Sequence, residues 1–177
     1  KLIKKDQLLF TLQDREYYKL SCIQINCDIL WVIKPKNTAE IQSIVKLSNQ
    51  YKIKLFPISI GNNWWYGTRN PLKDNSVILD LSLMNKVLDF DNKLWYVRIE
   101  PGVTQWQLAE YLWKKNAKFQ MDPTGSSPIT SVLANSLERW FGIGLNNNHF
   151  ENLSNMEVVL PQGDILKTGF WHYENSK

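Results

Sequence analysis

Between Ile29 and Gly67 the chain alternates in a way that leaves few folds open. Ile29-Leu30-Trp31-Val32-Ile33 is a continuous apolar run of buried-strand length, and Lys34-Pro35 stops it. A helix follows, with Asn37 as N-cap, Glu40 three residues on to complete a capping box, and Ile41, Ile44, Val45 and Ser48 on one face to about Tyr51. Leu55-Phe56-Pro57-Ile58 reads as a second strand, so strand, helix and strand form a βαβ unit. That strand empties into Ser59-Ile60-Gly61-Asn62-Asn63-Trp64-Trp65-Tyr66-Gly67, a polar loop bounded by glycines. Glycine admits positive φ and carries no blocking side chain, so successive backbone N–H groups there can turn toward a phosphate. The same pattern also serves as an ordinary turn, and the loop alone does not choose between the two.

Downstream, Ser76 to Leu81 reads as a third strand, and Val87 to Phe90 pairs with Leu94 to Glu100 across Asp91-Asn92-Lys93. After Pro101-Gly102, Thr104 and Gln107 form a capping box for a helix with Leu108, Tyr111 and Leu112 on one face, ending near Asn116. Asp122 to Pro128 is a second loop of small residues, and a short helix over Thr130 to Trp140 emerges from it with an N-terminus suited to anionic groups. Gly142 to Asn148 is a third loop, and Met156 to Leu160 with Ile165 to Thr168 form a hairpin across Pro161-Gln162-Gly163-Asp164. Asp6 to Asp28 lacks a clean period and reads as a partly helical lead-in, residues 1–28.

Composition narrows the function classes. The net charge of +4 comes from 21 basic residues scattered among 17 acidic ones, so no basic stripe forms. The eight Trp, seven Tyr and seven Phe fall mostly at strand and helix core positions, and a nucleic-acid partner is not expected. No apolar run approaches the roughly 20 residues that cross a bilayer, and with no apolar leader in view the expectation is a cytoplasmic protein without a membrane partner. Cys22 and Cys27 lie five apart and only His149 and His172 accompany them, so no metal site is expected.

Several ordered motifs carry a resemblance. Pro57-Ile58-Ser59-Ile60-Gly61-Asn62-Asn63 with Tyr66-Gly67, Ile78-Leu79-Asp80-Leu81 with Met84-Asn85, and Glu100-Pro101-Gly102-Val103-Thr104 are followed by Asn135-Ser136-Leu137-Glu138-Arg139, Gly142 and His149-Phe150. Met156-Glu157-Val158-Val159-Leu160-Pro161 with Gly163, Leu166 and Thr168-Gly169 closes the series. Together they resemble the FAD-binding domain of the vanillyl-alcohol oxidase and p-cresol methylhydroxylase (PCMH) family, over about Leu30 to Gly169. The resemblance implies an α+β, PCMH-type FAD-binding domain over 29–177. It would have two α+β subdomains, about 29–100 and 101–177, the second incomplete: it would lack its final strands and the substrate-cap domain.

The implied cofactor is FAD, lying between the subdomains. Cofactor contacts are implied at Ser59, Ile60, Gly61, Asn62, Asn63, Tyr66 and Gly67, where backbone groups would cradle the pyrophosphate. Further contacts, to the flavin or its ribityl chain, are implied in the second half at Thr124, Gly125, Ser126, Ser131, Asn135, Arg139 and Gly142. No acid or base is implied in this stretch, because the flavin carries the hydride step, and no flavin-tethering residue, which the family places in the cap domain. Two functional readings stay open. One is the FAD-binding portion of an oxidoreductase acting on an alcohol or phenolic side chain, its small-molecule substrate reached through the cap domain. The other is a degenerate or truncated, non-catalytic relative.

Overall fold

A computed structural model describes residues 3–20, 27–63, 69–124, 126–144 and 148–169. In chain order the elements are β1 (Leu8–Leu9), α1 (Leu12–Lys19), β2 (Ile29–Ile33), α2 (Thr38–Gln50), β3 (Lys54–Ile58) and β4 (Ser76–Asp80). Then come β5 (Val87–Asp91), β6 (Tyr96–Ile99), α3 (Gln105–Lys114), α4 (Val132–Leu137), β7 (Glu157–Val159) and β8 (Ile165–Lys167), with 3₁₀ turns at Lys5–Gln7 and His149–Asn152.

The principal sheet has the order β1-β2-β4-β3. β4 is buried along its whole length and runs parallel to both β2 and β3. The expected βαβ unit is therefore split: β2 and β3 are parallel but separated by a strand that comes later in sequence. Pro57 gives the physical reason for β3's place, since a residue without an N–H fits an edge strand and not a central one. The Val77-Ile78-Leu79 run, with no polar face, takes the centre instead.

The lead-in is part of this sheet. β1 pairs antiparallel with β2, and α1, capped by a reciprocal Thr11–Asp14 box, buries Tyr18 among Ile29, Val32, Ile58 and Ile78. The Tyr18 hydroxyl donates to Asp80 Oδ2, which Lys34 Nζ approaches at 3.2 Å, while Ser82 N–H donates to Asp80 Oδ1 at 2.8 Å. Burial first, and then the Asp80 charge, push the Tyr18 phenol far above its ordinary range, so it stays a donor.

α2 packs Ile41 and Ile44 against Leu79 and Met84. Its N-cap is Asn37, as expected, but the box is modified. The Glu40 carboxylate accepts from Lys36 N–H and the Asn37 side-chain amide instead of Asn37 N–H, and it also holds Gln7 Nε2 at 2.7 Å. The β7–β8 hairpin docks on the same helix through Gln42 Nε2 to Gly163 O and Asn49 Nδ2 to Pro161 O.

In the other half, β6 begins at Tyr96, two residues later than expected, because the Asp91 carboxylate accepts Lys93 and Leu94 N–H and keeps them out of the ladder. Phe90, Val97 and Ile99 of this hairpin pack on Val103, Leu108 and Leu112. The Thr104–Gln107 capping box is reciprocal, as expected. α4 is shorter than the sequence suggests: Ser131 caps it, and Arg139, at φ 56°, turns the chain away after Leu137. Gly102 joins the halves, since a Cβ there would stand 2.7 Å from Leu81 O and 2.8 Å from Met84 O. Among the described residues no helix is long and apolar enough to cross a membrane.

Candidate functional site

The loop leaving β3 presents backbone. Gly61 sits at φ +68°, and an added Cβ would stand 2.7 Å from Arg69 Cβ, so both conformation and space demand glycine. Among the described residues none of the backbone N–H groups from Ser59 to Asn63 has an acceptor. The outside of the loop, in contrast, is well fastened. Arg69 Nε donates to Gly61 O at 3.1 Å and its Nη2 to Asn62 Oδ1 at 3.0 Å. Asn62 Nδ2 donates to Ile129 O at 3.3 Å, and buried Asn63 donates through Nδ2 to Glu138 Oε2 at 2.9 Å, leaving its Oδ1 buried without a partner. The first loop thus lies against the segment that carries Ser131, Asn135 and Arg139. Tyr66 and Gly67, with Trp64 and Trp65, lie outside the described residues, as does Gly125.

The second loop is built from side chains that bind one another. Gln105, at the start of α3 and 6 % exposed, accepts Thr124 N–H at Oε1, and its Nε2 lies within hydrogen-bond reach of the Thr124, Ser126 and Thr130 hydroxyls. Thr124 and Ser126 also share a hydroxyl–hydroxyl bond. Ser131 caps α4 and donates to Pro101 O at 2.8 Å. Asn135, 2 % exposed, gives Nδ2 to Thr124 Oγ1 at 3.4 Å and takes His149 Nδ1 on Oδ1 at 3.1 Å. Because an amide oxygen only accepts, that contact puts the imidazole proton on Nδ1. His149 Nε2 stands 3.6 Å from Asp122 Oδ2, and both atoms are buried without a hydrogen bond. The other Asp122 oxygen holds Ile143 and Gly144 N–H, and the bare Cα of Gly142 makes room for this carboxylate, 1.9 Å from where a Cβ would be. Arg139 lays its guanidinium 4.2 Å over the Phe150 ring.

Four residues of this geometry are not among the site residues expected from the sequence: Arg69, Gln105, Asp122 and Glu138. Gln105 did leave a signal, because it shares the face of Leu108 and Leu112, where a polar side chain must find buried partners. Glu138, the C-cap of α4, which also accepts from Trp140 Nε1, stands inside the Asn135–Arg139 motif without an assigned role, and Asp122 is a polar residue among many in loops.

The donor set fits an anionic cofactor, with five adjacent backbone N–H groups around a left-handed glycine that have no acceptor among the described residues. A family model described as "FAD binding domain" matches residues 29–169. The chain belongs to the FAD binding domain family. Its cofactor is FAD, and its fold is the α+β, PCMH-type one. This FAD binding domain is 40 % identical over 146 residues to 1'-carboxy-chondrochloren decarboxylase of Chondromyces crocatus, a match covering 82 % of the chain and 27 % of that protein. It is 36 % identical over 130 residues to the flavoprotein subunit of 4-cresol dehydrogenase (hydroxylating) of Pseudomonas putida, covering 73 % of the chain and 25 % of that subunit. The crystal structure of p-cresol methylhydroxylase with substrate bound superposes at TM-score 0.93 with 29 % identity, over 99 % of this chain and 35 % of that one. The FAD binding domain described here thus spans about a quarter of the length of the curated relatives it matches.

Proposed function

We propose that this chain is the FAD-binding portion of a flavin-dependent oxidoreductase that oxidises an alcohol or a phenolic side chain of a small molecule. The observation that carries this reading is the run of backbone N–H groups from Ser59 to Asn63 that have no acceptor among the described residues, around a glycine where a Cβ would crowd Arg69. Those groups would hold the pyrophosphate, because peptide dipoles in a concave loop bind anions with no charged side chain in the loop itself. Thr124, Ser126, Ser131, Asn135, Arg139 and Gly142 would form the wall facing the ribityl and flavin end. The bonds that link Thr124, Ser126 and Asn135 stiffen that part of the wall, so binding there costs little ordering of side chains. When bound, the flavin supplies the hydride-accepting chemistry. The chain's own residues bind, orient and exclude water, and none is assigned a proton-transfer step.

The similarity to 4-cresol dehydrogenase supports a phenolic substrate. A second reading, flavin-assisted decarboxylation, is favoured by the 40 % identity to a protein named as a decarboxylase. FAD titrated into the purified chain should lose fluorescence in a saturable way, and unquenched FAD at high protein concentration would overturn the cofactor assignment to these loops. For the longer protein, anaerobic addition of a 4-alkylphenol should bleach the visible flavin bands. Release of carbon dioxide from a carboxylated substrate, without bleaching by the alkylphenol, would favour the second reading.

A further inference from the structure

We infer that Arg69 is the cation of the phosphate cradle, fixing the loop from behind and giving the cofactor's pyrophosphate a positive charge that the loop itself lacks. This inference rests on the proposed role of residues 59–63. No residue from Ser59 to Asn63 is charged, so peptide dipoles alone would face a group that is doubly negative near neutral pH. The anion recorded against the loop, Glu138 on Asn63 Nδ2, adds to the repulsion.

Arg69 is half-buried and directed by two bonds of its fork, Nε to Gly61 O and Nη2 to Asn62 Oδ1. The face of its guanidinium lies 4.3 Å from the Tyr17 ring centroid and 6.0 Å from that of Tyr18, so α1 holds it in place. Among the described residues Arg69 has no carboxylate partner, and Nη1 makes no hydrogen bond. A cation held this firmly, yet left without a counter-charge, is arranged for an anion that arrives from outside. Its bond to Gly61 O also fixes that carbonyl within the loop. Arg69 is thus both a positioning residue for the loop and a source of charge for the ligand.

Binding of FAD and of riboflavin, which lacks phosphate, separates these roles from simple structural support. In R69Q the dissociation constant for FAD should rise about tenfold, as expected for loss of a nearby positive charge and of the bonds that fix the loop, while riboflavin binding stays unchanged. The salt dependence of FAD binding should also flatten. R69K keeps the charge and loses the fork, so it should fall between wild type and R69Q, and it carries the test should R69Q fail to fold. Equal weakening of both ligands, or no change in either, would overturn the inference. Failure of the wild-type chain to bind FAD at all would instead overturn the cradle reading, and this inference with it.

Discussion

The two polar loops of this domain solve opposite problems. In the first, residues 59–63, bonds fasten the loop to Arg69, Ile129 and Glu138, and the backbone N–H groups have no acceptor among the described residues. In the second, around 122–149, side chains bind each other in a closed network through Gln105, Thr124, Ser126, Thr130, Asn135 and His149. A loop that must receive an anion keeps its peptide N–H groups unengaged, and the second region gains precision from the bonds its side chains make to one another. Mutations should therefore separate: changes in the second region lower stability, and changes in the first lower affinity.

The largest effect on stability is expected at Gln105. Gln105→Leu keeps the bulk but strands Thr124 N–H and leaves the hydroxyls around it short of a donor, so unfolding in denaturant should show a loss of about 3 kcal/mol. A near-neutral result would break the claim that the second region is an interlocked network. Tyr18→Phe comes next, at about 2 kcal/mol, through loss of a buried hydrogen bond to a charged group. It carries a pH signature. The folded-state pKa of Tyr18 is raised, so its contribution is fully present below the unfolded phenol value of about 10 and declines as pH rises above it. Wild type should lose stability in that alkaline window, and the variant should show a flatter profile there.

Gly61→Ala should cost only about 1 kcal/mol in stability, from the left-handed backbone, yet weaken FAD binding about tenfold as the loop shifts away from Arg69 Cβ. Equal losses in stability and binding would erase the contrast between the loops. Asn62→Ala should be smallest, about 0.5 kcal/mol, because one of its bonds is exposed and the other only part-buried. Calorimetric unfolding paired with flavin fluorescence reads both quantities for each variant.

How much of this was legible in the chain follows from sequence separation. Thr104 and Gln107 are three residues apart, so their capping box can be read directly, as can the glycine-bounded loop after Ile58. The strand order could not be read locally, because β4 must arrive before β2 and β3 can be seen to flank it, although Pro57 already pointed to an edge. The candidate site divides in the same way. Gly61 was visible as a backbone requirement and Gly142 as a close approach, but the carboxylate that fills the Gly142 space comes from Asp122, 20 residues upstream. Arg69 meets its stacking partner Tyr17 only after α1 has packed on the sheet, and no local pattern marks it.

The most direct measurement is a backbone amide spectrum of the isotopically labelled chain, recorded as FAD is added. The amides of Ser59, Ile60, Gly61, Asn62 and Asn63 should shift together and saturate, with the side-chain amides of Gln42 and Asn49, which hold the β7–β8 hairpin, nearly unmoved. Saturable FAD binding that leaves those five amides in place would contradict the assignment of the cradle to this loop.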